Sequence, residues 1–194
     1  MKEILSNKII LFVFAIIAIN SLLFLLVPDR SIFMFNMDKF MTEPWRFLTF
    51  QFFHVSSMHL IENIAALIFV GFIAIELGLS FRKFLLVYFV SIFIVIFPLA
   101  ILFSQNTIAG NSMGIFGVMG LLLIKGRRLI PQKLSFPIFL FIIFSLTLFS
   151  FVSCGPCYED VFKSDVFHFF GFACGVLMTR MPAPKIKHTL SFAE

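Results

Sequence analysis

Charge is scarce in this chain. Of 194 residues only 15 are Lys or Arg and 10 are Asp or Glu, together 13%, against about 25% in a typical soluble domain. That shortage excludes an ordinary soluble enzyme, and with the abundance of apolar residues it excludes a disordered chain, which stays unfolded because it lacks apolar surface to bury. Three cysteines are too few to staple a small secreted module. Trp occurs once and Tyr twice. What fills the space is apolar: 60% of residues are hydrophobic, 31 of them Phe, and mean hydropathy is +1.06. A compact globule of this size would leave much of that surface facing water, whereas a bilayer would cover it.

A transmembrane helix takes roughly 20 mostly apolar residues. Six stretches qualify or nearly so: residues 9–27, 58–78, 84–103, 112–124, 134–152 and 165–180. They predict an all-α membrane bundle, one domain over residues 1–194, with a short fourth helix. The longest gap, residues 28–54, holds too much Asp, Lys, Pro and Met for a span and reads as an interfacial loop with short helical turns. Lys2 and Lys8 precede a first apolar run too long for a cleaved signal, with no small-residue cleavage site after it, so it reads as a retained span. Lys and Arg mark the cytoplasmic side. Lys2, Lys8, Arg82, Lys83, Lys125, Arg127, Arg128, Lys133, Arg180, Lys185 and Lys187 fall on one side; Arg30, Lys39, Arg46 and Lys163 fall on the other. Both termini are therefore expected in the cytoplasm. The net charge of +5 is a topology signal, and no nucleic-acid partner is expected.

Polar side chains inside lipid are costly and mark function. The second stretch carries His59, Glu62 and Asn63, the fourth opens with Asn111 and Ser112, and the sixth carries His168. At 1.5 Å per residue, Ser112 stands about 20 Å above Lys125, His168 about 18 Å above Arg180, and Asn63 about 22 Å above Gly78. Three helices thus place polar groups at one depth. The fourth stretch is too short to cross, so its N-terminus and the preceding residues 104–111 should hang within the membrane, which is tolerated only inside protein or beside water. A water-filled cavity open to the outside is implied. Gly110, Gly114, Gly117 and Gly120 thin the fourth helix, while Gly171 and Gly175 form G-x-x-x-G on the sixth, a device for close helix approach. His168, Gly171 and Gly175 share one helical face.

Ser112 at a helix N-terminus and His168 on a neighbour pair a nucleophile with a general base. The N-terminal N–H groups and helix dipole favour an oxyanion. His59 and Asn63, four residues apart, offer further donors. No acidic residue is evident to orient His168, so a dyad is expected. The run Gly110-Asn-Ser112-Met-Gly-Ile-Phe116-Gly-Val-Met-Gly120 resembles the nucleophile motif of the rhomboid intramembrane serine proteases. His54-x4-His59-x3-Asn63 resembles that family's second-span motif, Trp45-Arg46 its first-loop motif, and His168-Phe-Phe-Gly171-x3-Gly175 its histidine motif. The four stand in the family's order across residues 45–175.

The resemblance implies a six-helix core with Ser112 as nucleophile and His168 as base. It implies an oxyanion hole of His59, Asn63 and the Ser112 backbone N–H, and Phe116 packed on the imidazole. Trp45 and Arg46 become loop-organising residues; His54 orders the approach to the second span. The implied activity is cleavage of a membrane-spanning protein near the outer face of the bilayer, in a bacterial inner membrane, without cofactor or metal. A narrower branch, the rhombosortases that process C-terminal Gly-Gly anchors, is compatible with the compact length. One departure is Met113, where the family has Gly directly after the nucleophile.

Other readings compete. Gly110-x-Ser112-x-Gly114 also fits the nucleophile elbow of α/β-hydrolases, but that needs a strand–turn–helix in a sheet. His54, His59 and His168 lack the H-E-x-x-H metal pattern. Cys154-Gly-Pro-Cys157 spells a redox motif without a βαβ context and is expected to be an outer loop staple; Cys174 packs inside a span. Glu62 is expected to line a substrate entrance, and Glu76 to be an interfacial charge. A rhomboid-like pseudoprotease that escorts membrane proteins is the alternative function, although it would be expected to have lost Ser112 or His168. A transporter should show inverted repeats and paired broken helices.

Overall fold

A computed structural model describes residues 7–102, 107–127 and 158–181. Regular structure among them is helical: α1 is Lys8–Leu26, α2 Ser57–Glu76, α3 Phe81–Leu102, α4 Ser112–Gly126 and α5 Tyr158–Met178. By length and composition α1, α2 and α3 can each cross a membrane, and α4 is a shorter apolar helix. The expected fifth span, 134–152, and the Cys154–Cys157 motif lie outside the described residues.

Local signals set the ends. Asn7 caps α1, its side chain accepting from the Ile9 N–H at 2.9 Å, and Ser56 does the same for α2 through His59 N–H at 3.1 Å, each satisfying an otherwise orphaned donor. Helix α2 stops at Gly78, whose φ of +60° lets the Leu79 N–H reach back to Ala74 O at 2.8 Å, a glycine-dependent stop. Pro98 sits within α3 and faces outward. Helix α5 begins seven residues before the apolar stretch expected from 165. Glu159, Asp160, Lys163 and Asp165 depress hydropathy there, and charge at the first turns of a helix does not prevent helix formation. Asp165 and His168 are consequently mid-helix residues.

The core runs along α3. Phe84, Val87, Tyr88, Ile92 and Ile96 are fully buried. The ring of Phe12 on α1 packs edge-on against Phe84, Tyr88 and Phe89. Residues 28–54 form short turns, 3-10 at Ser31–Phe33, Met37–Lys39 and Phe50–Phe52 and helical at Arg46–Thr49. An aromatic cluster of Phe35, Phe40, Phe47 and Phe97 fastens this loop to α3.

Helices α4 and α5 meet almost backbone to backbone, and glycine is the reason. A Cβ on Gly175 would lie 1.7 Å from Gly117 O, one on Gly120 2.2 Å from Phe172 O, and one on Gly171 2.6 Å from Met113 O. None of these distances can hold a carbon atom. The other side of α4 is equally tight, since a Cβ on Gly114 would meet Tyr88 O at 2.8 Å. Ser112 and His168 sit where this contact begins, so the packing that joins the helices also sets their separation.

Candidate active site

The chain enters α4 through an irregular segment held from both sides. Ile108 pairs with Phe35 in an isolated antiparallel bridge, N–H to O distances 2.9 and 2.8 Å. The Gly110 N–H donates to Phe50 O at 3.0 Å. Gly110 has φ +94°, which an L-residue rarely adopts, and a Cβ there would strike His59 Cε1 at 2.9 Å. Glycine therefore both makes the turn and admits the His59 ring beside it. Asn111 is buried and donates its side-chain N–H to Tyr88 Oη at 2.8 Å, anchoring the N-terminus of α4 to the core. Ser112 is the first helical residue, where N–H groups have no intrahelical acceptor.

On α5, His168 turns Nε2 to Ser112 Oγ at 2.9 Å, hydrogen-bond distance. Phe116, one turn after Ser112, stacks flat on the imidazole, centroids 4.3 Å apart and planes 7° from parallel. The ring therefore has few orientations open to it. Both side chains are only part-buried, so the pair is reachable. Nearby, Oδ1 of Asp165 lies 3.9 Å from His168 Nδ1. This corrects the expectation of a histidine with no acid beside it; three residues along one helix is the spacing that brings two side chains to one face.

His59 lies against Gly110. Its ring packs on that of His54, centroids 5.1 Å apart. Asn63 is buried and uses one amide N–H on its own helix, donating to His59 O at 2.7 Å; the amide has a second N–H to offer. His54, in the turn before α2, is fully buried. Burial, then the neighbouring His59, pushes its pKa down to about 3, against a smaller opposite pull from the Phe52 backbone. It is a neutral packing ring that shapes the approach to α2. Glu62 is part-buried next to Asn63, and Glu76 is exposed at the end of α2.

Arg46 is buried and ties the loop together: it pairs with Glu43 and donates to Ser31 O and, at 3.0 Å, to Met34 O. Trp45 Nε1 reaches Ile32 O at 3.4 Å, and Thr49 Oγ1 donates to Phe33 O at 2.9 Å. This loop carries Phe35 and Phe50, the residues that hold the strand-like approach to Ser112. Among the described residues, no three His, Cys, Asp or Glu side chains converge as a metal site would need.

Met113 follows Ser112 with its side chain buried and its carbonyl against Gly171, so the bulk that replaces the expected glycine is taken up by the core.

No curated protein matches the chain as a relative. A family model described as the Rhomboid domain matches residues 41–184, a range that contains Trp45 and Arg46 of the loop, the Ser112 helix and the His168 helix, and the chain therefore belongs to the rhomboid family, whose members are integral membrane proteins.

Proposed function

We propose that this protein is an intramembrane serine endopeptidase that uses Ser112 and His168 to cleave a membrane-spanning substrate. The observation that carries the reading is the 2.9 Å contact between Ser112 Oγ and His168 Nε2 at the N-terminus of a glycine-packed helix. Ser112 Oγ attacks the scissile carbonyl carbon while Nε2 takes its proton. The negative oxygen is met by the Ser112 N–H, with His59 and the free N–H of Asn63 as side-chain donors. Collapse breaks the C–N bond, and His168 returns the proton to the leaving amine. Water then attacks the acyl-serine by the same route.

The full bundle in this reading has six spans, with residues 134–152 supplying the fifth. The Lys and Arg distribution supports cytoplasmic termini and a site near the outer leaflet. Arg46 and Trp45 act as loop-organising residues, His54 as support for the α2 approach, Phe116 as the platform for the base, and Gly171 as the spacer that lets α5 reach α4.

The test is cleavage of a reporter transmembrane segment, with a helix-weakening sequence near its outer end, by the full chain in proteoliposomes. Wild-type protein is expected to give one cut site by mass spectrometry, and Ser112→Ala and His168→Ala to give none. Capture of the reporter without cleavage by wild-type protein would favour an escort function.

A further inference from the structure

His168 has two nitrogens, and the contact with Ser112 fixes what each must do. For Nε2 to accept the hydroxyl proton, the neutral imidazole must carry its own hydrogen on Nδ1. Phe116 sets the plane of the ring, but a flat aromatic face does not distinguish the ring from its 180° flip. The flip would carry Nε2 away from Ser112. Something at the edge must break that symmetry, and Asp165 Oδ1 stands 3.9 Å from Nδ1. It lies one turn earlier on the same helix, so the two cannot drift apart. The carboxylate side chain is 33% exposed and the imidazole 21%, leaving the acid free to change rotamer or act through one bridging water.

We propose that Asp165 is a positioning residue of this site, accepting a hydrogen bond from His168 Nδ1–H directly or through water. It holds the tautomer and ring orientation in which Nε2 faces Ser112. It also offsets the positive charge the imidazole gains on taking the serine proton. No proton is passed to Asp165; the proton travels only from Ser112 Oγ to Nε2 and on to the leaving amine, while the Nδ1 hydrogen stays in place. Among the described residues the other groups have separate places: Ser112 at Nε2, Phe116 on the ring face, and His59 against Gly110. This inference rests on the hydrolase reading above.

The experiment uses the full chain in proteoliposomes with Asp165→Asn, Asp165→Ala and Asp165→Glu. Reporter cleavage gives kcat and KM, thermal denaturation gives stability, and ¹⁵N NMR of labelled histidine gives the His168 tautomer. Asp165→Asn and Asp165→Ala are expected to lower kcat about 10- to 100-fold with KM within about twofold, the signature of an interaction made in the transition state. Asp165→Glu should recover much of the rate. The wild-type His168 signal should show one tautomer, hydrogen on Nδ1, and Asp165→Ala a mixture. Unchanged kcat in Asp165→Asn and Asp165→Ala, or a loss explained wholly by a lower melting temperature with the tautomer intact, overturns the inference. An inert wild-type protein would instead overturn the hydrolase reading, and the tautomer measurement would still report on the Asp165 contact.

Discussion

Gly175→Ala offers a quantitative test of how the fold sets the site. The new Cβ would lie 1.7 Å from Gly117 O, whereas a carbon and an oxygen need about 3.2 Å. The obstacle is backbone, with no flexible side chain to swing away, so α4 and α5 must part by roughly 1.5 Å at that level. Gly175 lies two turns along α5 from His168. If half of the displacement reaches the site, the Ser112–His168 separation grows from 2.9 Å to about 3.6 Å, beyond a hydrogen bond. Misplacement of about 1 Å can cost on the order of 100-fold in rate. Gly175→Ala is therefore expected to lose about 30- to 300-fold in reporter cleavage while remaining folded in detergent. Gly126→Ala is the control, because among the described residues its Cβ would meet only Leu77 Cδ1 at 3.4 Å; it should retain activity within about twofold. Wild-type activity in Gly175→Ala would refute the view that this glycine contact sets the distance between the two side chains.

Three further outcomes follow from the same geometry. Phe116→Leu removes the platform under the imidazole and should lower kcat about fivefold with little change in KM, since the lost stacking is worth about 1 kcal/mol. Arg46→Met deletes a buried cation while leaving Glu43 and two loop carbonyls unpaired, and should destabilise by about 3 kcal/mol, read as a lower melting temperature in detergent. His54 makes stability depend on pH. The unfolded chain binds its proton near pH 6.5, but the folded ring binds one only near 3. The stability it permits is therefore intact above pH 6.5 and drains away as pH falls toward 3, by about 2 kcal/mol at pH 5. Melting scans at pH 7 and 5 should show this loss, and His54→Gln should narrow the gap; an equal gap in the variant would assign the effect elsewhere.

Much of this was legible in one dimension because lipid is a strict solvent. Hydropathy located α1 to α4 to within about three residues at each end. It failed at the start of α5, where Glu159, Asp160 and Lys163 mask a helix that continues past the apolar stretch. The approach of Ser112 to His168 could be read from matching depths, and the glycine faces from their spacing, since both depend on helical periodicity alone. The bridge between Ile108 and Phe35 depends on contacts between distant parts of the chain and leaves no local pattern. The same is true of the two carbonyls that Arg46 satisfies and of Lys83, which donates from α3 to Met178 O at 2.7 Å. Asn63 shows a different limit. Its position one turn beyond His59 was visible, but that spacing equally allows the bond it makes to its own helix. Asp165 stands three residues before the histidine, but hydropathy puts it at the edge of a span, whereas the helix runs from Tyr158.

The proposed mechanism makes Ser112 a nucleophile activated by His168. The most direct measurement is intact and peptide mass spectrometry of the full chain in proteoliposomes after reaction with a fluorophosphonate. One adduct on Ser112 is predicted, absent in Ser112→Ala and formed at least about 100-fold more slowly in His168→Ala. An unmodified wild-type protein, or equal labelling in His168→Ala, would contradict it.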